Sequence, residues 1–262
     1  DLRATLQGLG VDISAMRYTD KQHTTLAFVS LDGKGERTFS FCRNPGADTQ
    51  MMTADLDDGL LQSSRILHVG SLSLTEEPAK SATFAAIRMA KAAGALVSYD
   101  PNYRAALWQG HNDASAEMKS LLPFADIVKV SDEELPMLLG PGITPEKGAE
   151  QLLAGGAKLV MVTLGPRGVL YMARLFDGSR ISGTVGAPDV TVVDTTGAGD
   201  SFTGGLLYRL TRRESPLRFT KAELEEDLRF ANAVASLCVT KRGGIPALPD
   251  LETVETFIKE RG

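Results

Sequence analysis

The sequence contains few cysteines and few histidines, two and three respectively among 262 residues. Cys42 and Cys238 form neither a CxxC pair nor any other metal-ligand spacing, which argues against a metal-bound framework. So few thiols suit a reducing compartment, and we expect both cysteines to be buried apolar side chains. The histidines show no ligand spacing either, and we interpret all three as structural or solvated: His23, His68 and His111.

Long apolar runs and an excess of positive charge are also missing. No run approaches the roughly 20 residues that span a bilayer, and 28 Lys and Arg residues face 33 Asp and Glu residues, for a net charge of −5. With a pI near 5.3, the chain offers no basic stripe for nucleic acid or for an anionic membrane. We expect neither partner, and we expect a cytoplasmic protein. The chain begins at Asp1 without an initiator methionine, which leaves a preceding targeting segment open.

Short β-branched runs alternate along the chain with segments of helical periodicity. The runs end in polar or glycine-rich residues, as in "ALVSYDPNYR", "ADIVKVSDEEL" and "KLVMVTLGPRG". This alternation predicts an α/β fold with a doubly wound, mostly parallel sheet flanked by helices. Because ligands of such sheets bind outside the carboxyl ends of the strands, we expect the polar tails to converge on one site.

One segment breaks this rhythm. Residues 24–43, "TTLAFVSLDGKGERTFSFCR", contain two alternating runs around Asp32-Gly33, a strong hairpin signal. We predict a small antiparallel β lid over residues 24–48, with residues 1–23 and 49–262 forming the α/β domain. The alternative is that this hairpin forms an edge of the main sheet.

The stretch "VTVVDTTGAGDSFTGGLLYRL" runs from a strand pattern into glycines, an aspartate and an amphipathic helix pattern. We predict a strand over residues 190–193 and a helix over residues 201–210. The small residues Gly197, Ala198 and Gly199 then lie at the first amides of the helix, which lack intrahelical partners and attract anions. Asp200 beside such a cradle suits a base that takes a proton from a hydroxyl attacking phosphorus. The alternative is a helix-capping aspartate above a tight turn.

The segment "VVDTTGAGDSFTGGLL" resembles the signature of the ribokinase-like carbohydrate kinases, the PfkB family, over nine consecutive positions from Asp194 to Phe202. The resemblance continues through "YDPNYRAALW", "IVKVSDEEL", "VTLGPRG" and "ANAVASLCVTKRGGIPALP", in the order of the family. Within the family, "FCRNPGAD" and "GALVSYDPNYRAALW" are most similar to fructokinases. The resemblance implies a ribokinase-like fold and ATP as phosphoryl donor.

The resemblance also implies roles for individual residues. Asp200 is expected to be the catalytic base, and the anion hole is expected at Gly197, Ala198, Gly199 and Asp200. The expected nucleotide-binding residues are Thr163, Gly165, Gly168, Asn232, which lies near the adenine, and Ser131, which replaces the usual Asn of the family. The alternatives are an ordinary strand-to-turn connection for "LGPRG" and a solvent contact for Asn232.

Two cation sites follow from the same resemblance. Glu134 is expected to orient water molecules on Mg²⁺, since this ion keeps much of its hydration; an acidic residue in the first turn of a helix is the alternative. A K⁺ site, formed mostly by backbone, is implied at Asp194, Thr196, Cys238, Lys241 and Gly243. For Asp194 the alternative is a buried carboxylate that accepts turn amides.

The sugar-binding candidates are Arg104, Arg43, Asn44 and Asp48, because guanidinium groups offer several fixed donors to hydroxyls or phosphate. Trp108 is expected to be a packing residue with its indole N–H satisfied nearby. Relatives begin with a strand and a glycine-rich stretch that are not found here. The difference is about 60 residues if each βα unit needs ~30, so we expect a longer source protein or a fragment.

These observations together predict an ATP-dependent kinase that converts fructose to fructose 6-phosphate, working as a homodimer with sugar and ATP as its small-molecule partners. A 2-keto-3-deoxygluconate kinase, or another ribokinase-like sugar or nucleoside kinase, is the nearest alternative, although Phe41 stands where a tyrosine would hold the carboxylate. A catalytically silent sugar-binding relative is a further alternative. An oxidoreductase is disfavoured because no G-x-G-x-x-G follows an early strand.

Overall fold

The computed structural model describes residues 2–31, 37–43, 45–108 and 113–261. The strands of this part of the chain are β1 (Leu26–Leu31), β2 (Arg37–Cys42), β3 (Ile66–Gly70), β4 (Leu96–Asp100), β5 (Ile127–Ser131), β6 (Leu159–Thr163), β7 (Val169–Arg174) and β8 (Arg180–Val185). Its helices are α1 (Leu2–Gly8), α2 (Asp58–Ser63), α3 (Ala79–Ala92), α4 (Ala105–Trp108), α5 (Ala114–Leu121), α6 (Leu135–Leu139), α7 (Pro145–Ala154), α8 (Ala198–Thr211), α9 (Lys221–Cys238) and α10 (Leu251–Arg261). No helix in the described part of the chain combines the length and hydrophobicity that crossing a bilayer requires.

The main sheet has six strands in the order β3-β4-β5-β6-β7-β8. Strands β4, β5 and β6 are parallel neighbours, with Val128 of β5 opposite Val160 of β6. Strands β6, β7 and β8 are antiparallel neighbours. The predicted alternation of strands and helices is therefore confirmed, and the sheet is mixed because a short turn reverses the chain after β6.

The central strands β5 and β6 consist mostly of apolar residues. Every residue of β5 except Ser131, and every residue of β6 except Thr163, is buried. Such runs are typical of parallel strands that are covered on both faces. The exceptions are the last residues of their strands, so the polar side chains begin where the strands end.

Helices α8 and α9 are joined by a charge cluster around a buried carboxylate. Asp227 of α9, only 1% exposed, accepts hydrogen bonds from Arg209 at 2.8 Å and from Arg213 at 2.6 Å, both within or just after α8. Partial burial of the guanidinium acts to lower the pKa of Arg209, but the carboxylates of Asp227 and Glu226 together outweigh it, so the pKa lies above its usual value. Because a buried carboxylate without its partners is strongly destabilising, this cluster fixes α8 against α9.

The hairpin predicted from the alternating runs is present as a separate two-stranded antiparallel sheet, β1 with β2. This finding contradicts the alternative of an edge hairpin in the main sheet. The predicted turn at residues 32–33 lies outside the described residues. Cys42 is exposed and Cys238 is buried, so the expectation of burial was wrong for Cys42. It pairs with Leu26, which is itself 50% exposed, on a face of the hairpin that is open to solvent.

The chain divides into two compact units. The first comprises residues 1–97 and 101–120, and the second comprises residues 98–100 and 121–262. The hairpin belongs to the first unit. Its predicted function as a lid over residues 24–48, with residues 1–23 and 49–262 as the kinase domain, stays a prediction.

Candidate active site

The glycine-rich turn leads directly into helix α8 of the second unit. The helix begins at Ala198, three residues earlier than predicted, and Gly197 is its N-cap with φ +78° and ψ +3°. This left-handed conformation is one that glycine adopts without steric cost. Asp200 is consequently the third residue of the helix, within its first turn, and it is exposed. The turn therefore presents a carboxylate at the positive end of a 14-residue helix.

The segment before the turn differs from the prediction. Residues 190–193 are not a strand, and Val192 and Val193 are 55% and 46% exposed. The amides of Val193 and Asp194 both donate to the carbonyl of Val239, at 2.8 and 3.1 Å. The Val239 carbonyl, just after α9, therefore fixes this segment. The β-branched residues do not form a strand because no strand in the described part of the chain pairs with them.

The amides of the turn are not equivalent. The Ala198 N–H donates to the Thr195 carbonyl at 3.2 Å, while the Gly197 carbonyl accepts from the Ser201 N–H at 2.8 Å. The Ala198 N–H thus closes the turn itself, and the anion hole expected at the amides of "GAGD" stays a prediction. Gly199 and Asp200 follow Ala198 in the helix's first turn, where amides have no carbonyl four residues earlier in the helix.

Asp194 connects this turn to the segment after α9. Its Oδ1 accepts from the Thr196 N–H at 2.7 Å, and its Oδ2 accepts from the Gly243 N–H at 2.9 Å. The Cys238 thiol donates to the Thr196 carbonyl at 3.8 Å, and the Lys241 N–H donates to the Cys238 carbonyl at 3.3 Å. The five residues predicted as a K⁺ site are thus neighbours, and Asp194 accepts turn amides as its alternative interpretation required.

A buried ion pair that sequence reasoning missed lies against the same turn. Lys129 of β5 donates to Asp100, the last residue of β4, with Nζ 2.9 Å from Oδ2, and their side chains are only 7% and 3% exposed. A Cβ placed on Gly199 would lie 2.8 Å from this Nζ. The sequence signal was available: Lys129 is the one charged residue within the apolar run "IVKVS".

Glu134 and Ser131 form a closed pair at the end of β5. The Glu134 carboxylate accepts from the Ser131 N–H and hydroxyl, both at 2.9 Å, and the Ser131 Oγ accepts from the Glu134 N–H at 3.2 Å. Burial of the Tyr99 phenol raises its pKa, and the neighbouring carboxylates of Asp100 and Glu134 raise it further. The carboxylate of Glu134 therefore closes the turn between β5 and α6 at the carboxyl edge of the sheet. Glu134 is the N-cap residue of α6 and not a residue of its first turn, which differs from the alternative interpretation.

The motif "VTLGPRG" forms the turn between β6 and β7. Thr163 ends β6, the Leu164 N–H donates to the Gly168 carbonyl at 2.7 Å, and the Gly168 N–H donates to the Gly165 carbonyl at 3.0 Å. Gly165 and Gly168 have φ +58° and +92°. The segment is a tight strand connection whose two glycines are required by the backbone, which agrees with the alternative interpretation.

Asn232 is a buried residue of α9. Its Nδ2 donates to the carbonyls of Val185 and Gly186, both at 3.0 Å, and the residue is 4% exposed. The alternative of a solvent contact was therefore wrong. Asn232 therefore fixes the end of β8 against α9.

In the first unit, Arg43 and Asp48 contact each other. Arg43 Nε donates to Asp48 Oδ2 at 2.8 Å, and its other nitrogens donate to Thr75 Oγ1 at 3.0 Å and to the Leu72 carbonyl at 2.9 Å. Partial burial acts to raise the pKa of Asp48, but hydrogen bonds from Arg43 and Thr25 outweigh it, so the pKa lies below its usual value. The Arg43 side chain is 4% exposed, and its donors are used within the protein.

Arg104 has a different environment from Arg43. It is exposed, and its Nη1 donates to the Tyr103 carbonyl at 2.9 Å. Trp108 is buried as predicted, but its indole N–H has no hydrogen-bond partner among the described residues. The sugar-binding candidate Asn44 lies outside the described residues, as does His111, which was interpreted as structural or solvated. Of the predicted sugar-binding residues that are described, Arg104 has the most accessible cationic group.

Within residues 2–31, 37–43, 45–108 and 113–261, no three His, Cys, Asp or Glu side chains converge as metal ligands. The donors at the edge of the second unit's sheet instead fit a divalent ion that binds through one or two carboxylates, water and phosphate oxygens, as Mg²⁺ does. Glu134 follows β5 and Asp200 lies in the first turn of α8, so both carboxylates are near this edge by sequence position.

Comparisons with known proteins show what the whole chain is similar to. The profile described as "pfkB family carbohydrate kinase" matches residues 1–251. Fructokinase-2 of Solanum lycopersicum is 42% identical over 258 residues, which cover 98% of this chain and 77% of that enzyme. The crystal structure of fructokinase from Xylella fastidiosa with bound ATP is similar with a TM-score of 0.88 and 33% identity, covering 98% of this chain and 80% of that chain.

Fructokinase from Vibrio cholerae O395 is similar as well. Its structure in the fructose, ADP and calcium ion bound form has a TM-score of 0.86 and 34% identity, covering 98% of this chain and 80% of that chain. A double mutant of the same enzyme is in a fructose, ADP and potassium ion bound form. The similarity therefore extends over both compact units of the chain.

Proposed function

The chain belongs to the pfkB family of carbohydrate kinases, and we propose that it transfers the γ-phosphoryl group of ATP to a hydroxyl of fructose, giving fructose 6-phosphate. The predicted family and the predicted ribokinase-like fold are confirmed. The observation that carries the choice of fructose is the 42% identity to a fructokinase over 98% of this chain. The ligands of the similar structures, ATP in one and fructose with ADP in another, agree with it.

The proposed reaction uses the first turn of α8. The Asp200 carboxylate takes the proton of the sugar hydroxyl while the hydroxyl oxygen bonds to the γ-phosphorus. The bond from that phosphorus to the oxygen bridging the β- and γ-phosphates breaks, and ADP leaves. The amides of Gly199 and Asp200, with the positive end of the helix dipole, stabilise the negative charge on the transferred group. Gly197 supplies the left-handed turn that sets the position of these amides.

We propose that the nucleotide is bound at the carboxyl edge of β5 and β6. Thr163, Gly165 and Gly168 form one side of this site, and Ser131 lies beside Thr163 in the sheet register. Asn232 supports it indirectly, through the carbonyls at the end of β8. K⁺ is proposed near Asp194, where its carboxylate and the carbonyls around Thr196, Cys238, Lys241 and Gly243 would stiffen the turn before α8.

Mg²⁺, when bound, would neutralise charge on the β- and γ-phosphates. Glu134→Gln is expected to raise the Mg²⁺ concentration needed for half-maximal rate several-fold, since a carboxylate orients metal-bound water better than an amide does. The measurement is a Mg²⁺ titration of the initial rate at saturating ATP. Glu133→Gln is the control, because Glu133 is the exposed neighbour of Glu134. If the Mg²⁺ titration of Glu134→Gln is unchanged and its melting temperature is lower, the role of Glu134 is purely structural.

On the sugar side, Arg104 and Arg43 are proposed to act differently. Arg104→Ala is expected to raise KM for fructose by about tenfold, the effect of losing a charged hydrogen bond, without lowering the melting temperature. Arg43→Ala is expected to lower the melting temperature, because it leaves Asp48 and the Leu72 carbonyl without their shared donor. Steady-state kinetics and a thermal melt on both variants test this. Equal melting losses in the two variants would contradict the assignment of Arg104 to substrate.

We also propose a homodimer that works in the cytoplasm. The exposed Leu26 and Phe28 of the hairpin, 50% and 58% exposed, favour association of two copies. The low thiol content and the acidic composition suit the cytoplasm.

The experiment that tests the proposed function is a screen of sugars with ATP and Mg²⁺, which follows ADP release and identifies the phosphorylated product. Fructose is expected to give the highest kcat/KM, with the phosphoryl group on the terminal hydroxyl. If 2-keto-3-deoxygluconate or a nucleoside is phosphorylated faster than fructose, that compound is the preferred substrate and the choice of fructose is wrong. Sugar binding without turnover would indicate a silent relative.

A further inference from the structure

The buried pair of Lys129 and Asp100 is not explained by folding alone. Both charges are removed from water, and replacing such a pair with well-packed apolar side chains is often neutral or stabilising. Lys129 interrupts a strand whose other interior residues are apolar and buried. The burial of Lys129 therefore carries a cost in free energy, and the proximity of its ammonium to Gly199 offers a functional reason for it.

The space beside Gly199 shows where the positive charge of Lys129 lies. A Cβ on Gly199 would lie 2.8 Å from Lys129 Nζ, so the ammonium occupies the space that a side chain on this residue would need. Asp100 holds the ammonium on its other side, with Oδ2 2.9 Å from Nζ. The pair is thus a buried dipole whose positive end faces the first turn of α8. The Coulomb interaction between nearby charges is strongest at such a buried position, because little water is present to screen it.

We propose that Lys129 is a positioning residue for phosphoryl transfer. Its ammonium supports the backbone of Gly199 and adds a fixed positive charge behind the amides of Gly199 and Asp200, and Asp100 holds the ammonium in place. This inference rests on the proposed function, in which these amides face the transferred phosphoryl group. The proposal also gives a second reason for glycine at position 199. A side chain there would collide with the Lys129 ammonium, and it would also hinder the approach of an anion to the amides.

The test removes both charges together, so that neither is left buried without its partner. The neutral pair Lys129→Met with Asp100→Asn keeps the shapes of both side chains. We expect it to lower kcat for fructose by about tenfold to 100-fold, less than or similar to the loss of a direct oxyanion donor. KM for fructose is expected to stay within about twofold, because uniform substrate binding is untouched.

A second Lys–Asp pair of the second unit provides a control, in which the lysine side chain is 51% exposed against 7% for Lys129. Lys158 and Asp126 also form an ion pair at 2.9 Å in the second unit, but they precede β6 and β5 and lie at the opposite ends of these strands. Lys158→Met with Asp126→Asn is expected to leave kcat unchanged. A further neutral pair, Lys129→Gln with Asp100→Asn, keeps a donor beside Gly199 without its charge, and kcat is expected to stay low in it.

Binding of ADP with aluminium fluoride and fructose, a mimic of the transferring phosphoryl group, separates this role from packing. We expect the Lys129→Met pair to lose affinity for this complex by the same factor as kcat, with affinity for ADP alone unchanged. Wild-type kcat in either neutral pair at residues 129 and 100 would overturn the proposal. Failure of both pairs to fold, while the control pair folds, would also overturn it in favour of a structural role. If the proposed function itself is wrong, the unmodified chain will not phosphorylate fructose, a result that is distinguishable from those of the variants.

Discussion

Replacing Asp200 with asparagine is expected to lower kcat for fructose by at least about 100-fold, the usual loss of a general base. Asparagine keeps the shape of the side chain but cannot accept the hydroxyl proton. The thermal melt is expected to change little, because Asp200 is exposed and its charge at the helix N-terminus is worth only about 0.3–1 kcal/mol. Steady-state kinetics with Mg·ATP and a melt of the same sample measure both quantities.

Glu146→Gln is the matched control for Asp200→Asn. Glu146 is likewise an exposed acidic residue in the first turn of a helix of the second unit, α7. Both variants lose one negative charge at a helix start, so an electrostatic effect on helix stability is common to them. Only Asp200→Asn is expected to lose turnover. A folded Asp200→Asn enzyme with near-normal kcat would leave Asp200 as a helix-start residue and remove the base from the mechanism.

The largest expected effect on stability is that of Gly168→Ala. Gly168 has φ +92° and ψ −132°, which an L-residue rarely adopts, and an added Cβ would lie 2.7 Å from the Ala187 N. A strained backbone costs about 1–3 kcal/mol, and the contact with backbone atoms adds to it. We expect the free energy of unfolding to fall by about 3 kcal/mol or more, and Tm to fall by about 10 °C in a chain of this size.

Gly165→Ala, in the same turn, separates the two contributions. Gly165 also has positive φ, +58°, but a Cβ added to it would have no neighbouring atom within 4 Å. Only the left-handed backbone cost of about 1–2 kcal/mol is expected there. Differential scanning calorimetry of both variants without ligand makes the comparison. Equal Tm losses would mean that residues 186–187 move aside at little cost and that the close approach at Gly168 is unimportant.

The elements that the sequence predicted well are those set by local patterns. The apolar runs "IVKVS" and "LVMVT" became β5 and β6, and the alternating runs around residues 32–33 became a separate hairpin. Patterns of this kind report the burial of consecutive residues, which is a local property. The β-branched run at residues 190–193 shows the limit of the method, since a strand also needs a neighbouring strand with which to form hydrogen bonds.

The parts of the site that could not be predicted depend on contacts between distant residues. Lys129 and Asp100 are 29 positions apart, and no local sequence pattern links them. Arg43 was expected to face a sugar, but contacts with residues 72 and 75 use its donors. The helix start at Ala198 was placed three residues late because glycine and aspartate are weak helix formers. Motifs indicate which residue types are present, but the tertiary contacts decide which of their atoms are available.

Asp194 has a consequence for the way this part of the protein moves. Its two carboxylate oxygens hold the Thr196 and Gly243 amides, 47 positions apart in the chain. Neither amide can exchange its hydrogen with solvent unless its bond to this one side chain opens. We therefore expect the turn before α8 and the segment after α9 to open together, so that their amides show similar protection in hydrogen exchange. The position of the turn that precedes Ala198 therefore depends partly on Gly243, which lies 45 residues after this helix start.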